Sequence, residues 1–301
     1  MKLSICIPIY NFDVNNLVFD IWDQINRDKI SAEIILIDDA SNKEFIAKNK
    51  NLKDKISQFI FLEKNIGRSR IRNLFLKYAQ SDYLLFLDCD GKIINPDFLK
   101  IYSDYIDNHY PDIIYGGRKV ENIKPDNRFA LRWKFAVERE NLSVEKRIKK
   151  PYFGFQTNNF VVKKEILAKN PFDEEITQYG YEDLAFAIDL YQHKIKINHI
   201  ENPVLNGDVE SNEIFLSKAD QSAKSLAQLL KRSKSKDQIV QIKLAKIYFI
   251  IKKTHSATIF RFFYHIFKSW IERKLLEGNS SLRFLDLYKL GQLLDYMHFS
   301  K

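Results

Sequence analysis

Residues 82–90 read Asp-Tyr-Leu-Leu-Phe-Leu-Asp-Cys-Asp. A short uncharged run, Tyr83 to Leu87, stops abruptly at two carboxylates. Such a run predicts a buried strand with an acidic end. A strand with one wet face would alternate polar and apolar residues. This one does not, so both of its faces must be covered, as in the parallel sheets of α/β proteins.

The same pattern repeats on either side. Residues 3–9 (LSICIPI) are apolar and end at Tyr10-Asn11, and residues 33–37 (EIILI) end at Asp38-Asp39. Further strands are expected at 58–62, 112–116, 158–162 and 195–199. Helical spacing separates them. Leu17, Ile21 and Ile25 share a face within 14–27, and Ile71, Leu74, Phe75 and Tyr78 share one within 67–79. More helices are expected at 96–108 and 182–193. Alternating strands and amphipathic helices predict an α/β fold, Rossmann-like, with a mainly parallel sheet flanked by helices. In open α/β sheets the ligand crevice lies beyond the carboxyl ends of the strands. Tyr10-Asn11, Asp38-Asp39 and Asp88/Asp90 all fall there.

After residue 118 the pattern loosens, and from about 212 to 299 it is helical throughout. The expected organisation is an α/β domain over 1–212 and a C-terminal helical extension over 213–301. The 301 residues are 45% hydrophobic and 29% charged, with nine Gly and seven Pro, which excludes a disordered or fibrous chain. Two cysteines, Cys6 and Cys89, both in apolar stretches, exclude a disulfide scaffold and read as buried thiols. Neither a signal peptide nor a membrane-spanning run is apparent, so the expected location is the cytoplasm.

Chemistry-bearing residues cluster at the strand ends. Asp88-Cys89-Asp90 offers two hard oxygen ligands, suited to Mg²⁺ or Mn²⁺ bridging to phosphate; Asp is also common in strand-end turns. Asp38 or Asp39 could accept hydrogen bonds from a nucleobase or ribose, or cap a helix over 42–50, a task Ser41 or Asn42 could also perform. Gly67 opens a helix carrying Arg68, Arg70 and Arg72. Helix N-termini and Arg both favour phosphate, but a spacing of two keeps all three off one face. No Gly-x-Gly-x-x-Gly follows the first strand and no P-loop is present, which excludes the dinucleotide Rossmann and P-loop families.

Together, IPIYN (7–11), DDAS (38–41), NIGRSRIRN (65–73) and LFLDCD (85–90) resemble, in order and spacing, the bacterial family-2 glycosyltransferases of GT-A fold. The resemblance covers about residues 1–210. It implies that Pro8, Tyr10, Asp38, Asp39, Gly67, Arg68, Arg72 and Asp88 line a nucleotide-sugar pocket. Tyr10 and Asp39 take the place of the nucleoside contacts, and Asp90 that of the direct ligand to Mn²⁺ or Mg²⁺. Tyr179-Gly180-Tyr181-Glu182-Asp183 is similar to the Gly-Glu-Asp element of galactosyltransferase-like and chondroitin-polymerase-like members. That likeness implies Asp183 as general base and Glu182 as a substrate-holding neighbour. The base role fits the chemistry, because an attacking hydroxyl must lose a proton. An acidic first turn also suits the helix dipole, and both can hold.

There are departures. Relatives often carry a metal-binding His after an Asn-Pro-Val element. Here Asn202-Pro203-Val204 leads to Asn206, with Asp208 beyond it and His199 just upstream; all three are candidates for the metal shell, although a His on a short strand such as 195–199 is more often structural. The Gln-x-x-Arg-Trp element of processive synthases is incomplete: Arg132-Trp133 is present, but Phe129 stands where Gln should be. The resemblance therefore implies an inverting, non-processive enzyme moving a sugar, with UDP-sugar as expected donor, to a glycan or lipid-linked acceptor of a surface polysaccharide. Rival readings are a non-catalytic sugar-nucleotide or glycan-binding protein and a sugar nucleotidyltransferase; the latter should show a Gly-rich loop after strand one, which is missing.

The charge is uneven. The chain carries +9, yet residues 231–276 hold twelve Lys/Arg against Asp237 and Glu272 alone. Basic residues interleaved with Phe, Tyr and Trp over 241–276 suit either an anionic membrane surface, on the inner face of the cell membrane, or a helical cap on the core. No nucleic-acid-binding module accompanies the charge, so nucleic acid is not an expected partner.

Overall fold

The computed structural model describes residues 3–177, 179–207, 210–232 and 239–298. It divides the chain into two compact units. The first comprises Met1–Glu121, Glu140–Glu175 and Glu182–Asp208; the second comprises Asn122–Arg139, Ile176–Tyr181 and Val209–Lys301. The break after residue 208 lies near the expected 212/213 boundary. The two earlier segments that join the second unit were not foreseen, because they are short, polar and flanked by elements of the first.

In chain order the first unit runs β1 (Leu3–Ile9), α1 (Asn15–Asp28), β2 (Ala32–Asp38), α2 (Lys43–Asn49), β3 (Gln58–Phe61), α3 (Arg68–Tyr78), β4 (Tyr83–Leu87), β5 (Gly91–Ile93), α4 (Phe98–His109), β6 (Ile113–Tyr115) and β7 (Arg118–Val120). After α5 (Ala130–Phe135), which belongs to the second unit, it resumes with α6 (Val144–Lys149), β8 (Asn159–Lys163), α7 (Lys164–Lys169), α8 (Glu182–Gln192), β9 (Ile197–His199) and β10 (Val204–Asn206). The second unit continues with α9 (Asn212–Arg232), α10 (Lys243–Lys253), α11 (Ala257–Leu276) and α12 (Leu282–His298).

Seven strands form one sheet in the order β3-β2-β1-β4-β8-β6-β9. It is mixed and mainly parallel, as expected: β8 runs antiparallel to both β4 and β6. The chain moves outward from β1 through β2 to β3 and then returns to β4 on the other side of β1. Neighbouring loops diverge at that reversal, between β1 and β4, and open the crevice where α/β sheets bind ligands. Pro8 costs β1 little, because pairing with β4 ends at Cys6 opposite Phe86, short of the proline.

Alternation along the buried strands divides two cores. Ile5, Ile7, Leu36, Leu85 and Val161 pack with Val18 and Ile21 of α1 and Leu99 and Tyr102 of α4. Cys6, Ile35, Phe86, Phe160 and Val162 pack on the opposite face with Ile71 and Phe75 of α3 and Phe186 and Leu190 of α8. Phe86 stacks on Phe160 at 5.0 Å between ring centres and meets Phe75 edge-on at 5.6 Å. A second sheet of three short strands, β5-β10-β7, pairs the segment just after Asp90 with Asn206.

The second unit has its own core. Leu131, Phe215, Leu216, Tyr264, Ile271, Leu275, Leu285 and Tyr288 form it from α5, α9, α11 and α12. Gly291 lies mid-helix in α12 because a Cβ there would come within 2.3 Å of the Tyr264 ring. The uniformly helical expectation for this region holds among the described residues.

Candidate active site

Three strand ends assemble in the first unit. At the end of β1, Tyr10 is half exposed and Asn11 turns the chain at φ 49°. The Asn11 N–H donates to Ser41 Oγ (2.8 Å), and the Asn42 N–H donates to Asn11 Oδ1 (2.8 Å). The turns after β1 and β2 are thus stitched together, and Tyr10 is presented beside them.

Asp38 and Asp39 take different tasks. Asp38 has no exposed surface, and its Oδ1 accepts the Ser41 N–H at 2.7 Å. That bond shapes the turn, while among the described residues its Oδ2 has no hydrogen-bond partner and is left to accept a donor. Asp39 accepts the Ile66 N–H (2.7 Å) and the Gly67 N–H (3.1 Å), one on each oxygen. Burial pushes its carboxyl up, and those two backbone donors pull it back. Gly67 adopts φ 84°, a conformation that L side chains rarely take, and so aims its N–H at Asp39 as α3 begins.

The arginines of α3 separate as their spacing required. Arg72 is buried, and its Nη2 donates to Asp88 Oδ1 at 2.9 Å. Arg68 is half exposed, and its Nη1 donates to Glu182 Oε1 at 3.2 Å. Arg70 points to Glu174, 3.7 Å away. Glu182 itself is buried, and its second oxygen has no hydrogen-bond partner among the described residues.

Beyond β4 the backbone closes tightly: the Gly91 N–H donates to the Asp88 carbonyl at 3.0 Å. Both carboxylates of Asp88 and Asp90 are therefore held in one short turn. Burial and the charge of Asp88 raise the Asp90 carboxyl, while Arg68 and Arg118 oppose them. Asn206, on β10, reaches this acid, its Nδ2 donating to Asp90 Oδ1 at 3.4 Å. Asn158 links to Asn206 at 3.4 Å, and its own carbonyl accepts the Asp88 N–H.

Asp183 sits in the first turn of α8. Thr157 grips it twice: its Oγ1–H donates to Asp183 Oδ1 (2.8 Å) and its backbone N–H to Oδ2 (3.3 Å). Desolvation, then the neighbouring Glu182 charge, push the Asp183 carboxyl up to about 6, against Arg72, the Thr157 hydrogen bond and Arg68. A carboxyl poised there is ionised near neutrality yet basic enough to accept a proton.

Among the described residues, no three His, Cys, Asp or Glu side chains gather as a metal cage. The candidates nonetheless fit a weakly held cation: Mg²⁺-type ions bind through one or two carboxylates, with waters and substrate phosphates completing the shell. Asp90 and Asp88 form such a pair, and their mutual repulsion is what a cation would relieve. Asn206 is within reach. His199 is not available. Its Nε2 contacts the Pro151 carbonyl (2.9 Å), its Nδ1 faces the Arg147 guanidinium (3.5 Å), and burial with that cation pushes it down to about 4. Both ring nitrogens are engaged within the fold, in line with the structural role that a His on a short strand more often has. Asp208 lies outside the described residues.

The glycosyl transferase family 2 profile matches residues 4–169, more than half of the chain. The chain belongs to glycosyl transferase family 2. An uncharacterized glycosyltransferase of Haemophilus influenzae is 36% identical over 109 residues, 36% of this chain and 43% of that protein. The poly(ribitol-phosphate) beta-N-acetylglucosaminyltransferase TarS of Staphylococcus aureus is 33% identical over 121 residues, 38% of this chain and 20% of TarS. The chain therefore spans less than half the length of these two relatives. The cholesterol galactosyltransferase of Borreliella burgdorferi is 25% identical over 253 residues, 77% of this chain and 68% of that protein.

Solved structures agree on the fold. The mannosyltransferase PcManGT of Pyrobaculum calidifontis, solved with GDP-Man and Mn²⁺, superposes with a TM-score of 0.58 at 13% identity, over 99% of this chain and 88% of its own. TarS 1–349 with UDP gives 0.55 at 19% identity, over 99% and 89%. The fold of this family-2 chain is GT-A, as the four sequence segments implied.

Two residues of the site escaped the sequence. Thr157 stood in a quoted segment without a role. Arg118, bound to Glu140 at 2.6 Å and close enough to depress the Asp90 carboxyl, carried no motif at all. Tyr179 and Tyr181 belong to the second unit, where Lys218 and Lys289 lie over their rings.

Proposed function

We propose that the chain is an inverting, non-processive glycosyltransferase that takes a sugar from a nucleoside-diphosphate sugar, UDP-sugar first among them, and delivers it to a hydroxyl of a glycan or lipid-linked acceptor. The observation that carries this reading is Asp183. It is a carboxyl tuned to about 6 and oriented by Thr157, in the same compact unit as the Asp88/Asp90 turn. The acceptor oxygen bonds to the anomeric carbon from one face as the bond to the diphosphate oxygen breaks on the other. Asp183 takes the acceptor proton, and the nucleoside diphosphate leaves.

Tyr10 and Asp39 are assigned to the nucleoside, and Pro8 and Gly67 to the walls beside it. Arg68, half exposed and already oriented by Glu182, is assigned to the diphosphate. Asp90 would hold Mn²⁺ or Mg²⁺ directly, with Asp88 and Asn206 beside it. The cation would supply positive charge to the departing diphosphate. Support comes from TarS, solved with UDP and with UDP-GlcNAc, and from PcManGT, solved with GDP-Man and Mn²⁺.

Asp183→Asn keeps the shape of the side chain and removes its basicity. Release of UDP from a UDP-sugar, in the presence of cell-envelope glycan extract, should fall at least ~100-fold in this variant, the usual scale for a general base. Donor binding should be unchanged. Wild-type turnover by Asp183→Asn would refute the base, and binding of UDP-sugar without turnover by the wild type across acceptors would favour a sugar-nucleotide-binding protein.

A further inference from the structure

The helix Ala257–Leu276 presents an apolar stripe that its own unit leaves uncovered. Ile259, Phe262, Phe263, Ile266, Phe267 and Trp270 are each between 42% and 63% exposed. Their spacing of three and four residues places them on one arc of about 140° at 3.6 residues per turn. The packed side of the same helix is different: Tyr264, Ile271 and Leu275 are buried against the second unit's core. Core packing therefore accounts for one side of the helix and leaves five large apolar side chains more than half exposed on the other, with Trp270 partly covered edge-on by Phe284. Surfaces of this kind mark interaction sites.

Charge identifies the occupant. Lys252 and Lys253 end the preceding helix and are exposed. Arg273, exposed, and Lys274 follow Trp270 on the same arc. Residues 243–276 hold eight Lys/Arg and a single acid, Glu272, which lies 4.0 Å from Lys268. Two copies meeting through this stripe would press like charges together. An anionic surface satisfies the apolar stripe and its basic ends at once. Among the described residues no helix is long and apolar enough to cross a membrane. An amphipathic helix with aromatics on one side and cations at its borders instead lies in the plane of the interface.

We propose that Ala257–Leu276 docks on an anionic lipid bilayer, inserting Phe262, Phe263, Ile266, Phe267 and Trp270 among the acyl chains while Lys252, Lys253 and Arg273 meet the headgroups. This surface lies in the helical unit and is independent of the transfer chemistry.

The test is co-sedimentation of the full chain with vesicles of phosphatidylcholine alone or mixed with phosphatidylglycerol, at low and high salt. The wild type should bind the anionic vesicles, weakly or not at all the neutral ones, and should be released as salt shortens the Debye length. Removing each cation should lower partitioning about five-fold, so K252Q/K253Q/R273Q should bind on the order of a hundred-fold less. F263S/F267S should lose binding while its melting curve matches the wild type, because both side chains are exposed. Failure of the wild type to bind anionic vesicles at low salt would overturn the proposal. So would concentration-dependent self-association, seen by light scattering and abolished in F263S/F267S, since the stripe would then join two copies. If F263S/F267S melts early, K252Q/K253Q/R273Q decides alone, and unchanged binding by that folded variant overturns the proposal.

Discussion

Thr157 controls what Asp183 can do. Its hydroxyl donates to the ionised carboxylate and so favours that form; burial and Glu182 favour the neutral one. A base must be deprotonated to act, so kcat should fall about ten-fold per pH unit below an acid limb near pH 6. Thr157→Val removes the hydroxyl donor, so the limb should move to higher pH while donor affinity holds. A pH–rate profile checks both, and an unmoved limb would separate Thr157 from the chemistry. Asp88 behaves differently. It answers the buried Arg72 guanidinium, and breaking a buried pair by removing one partner costs ~3–5 kcal/mol. Asp88→Ala should therefore melt well below the wild type, whereas Asp90→Asn, whose side chain pairs with no cation at hydrogen-bond distance among the described residues, should not. Asp90 and Asp183 were legible because each closes or opens an apolar run, and Arg72 because its helix was. The grip of Thr157, 26 residues from Asp183 in sequence, depends on tertiary geometry that no local pattern encodes.

Strand ends place the site, so the strands must hold. Phe86 is almost fully buried between Phe75 and Phe160. Phe86→Ala should cost ~3–5 kcal/mol of unfolding free energy by denaturant titration. A loss below 1 kcal/mol would mean that this layer collapses around the gap. The seven-residue runs of β1 and β2 and the five-residue β4 could be read from the sequence because they are long and nearly all apolar. The three strands of the small sheet, Gly91–Ile93, Arg118–Val120 and Val204–Asn206, could not, since three residues with a Lys, Arg or Asn among them show no period. Their absence from the reading also hid how Asn206 comes beside Asp90. His199 had two readings in the sequence, ligand or structural. A lone His near a metal motif invites a ligand role, but here Arg147 and the Pro151 carbonyl already hold its ring.

At the scale of the whole chain, two kinds of surface lie in two compact units. The first carries the strand-end carboxylates, and the second carries the aromatic helix and much of the positive charge. The sequence shows a shift toward helical spacing and basic, aromatic composition from about residue 212. The segments 122–139 and 176–181 were not visible, because membership of a unit is decided by tertiary contacts. The central proposal is that a nucleoside diphosphate binds the first unit through a cation held by Asp90. Calorimetric titration of UDP into the wild type and Asp90→Asn, each with Mn²⁺ and with EDTA, tests it most directly. Mn²⁺ should tighten UDP binding to the wild type by at least ~10-fold, about 1.4 kcal/mol, and Asp90→Asn, equally stable to heat, should lose this gain. UDP binding to both proteins with the same affinity, with and without Mn²⁺, would contradict it.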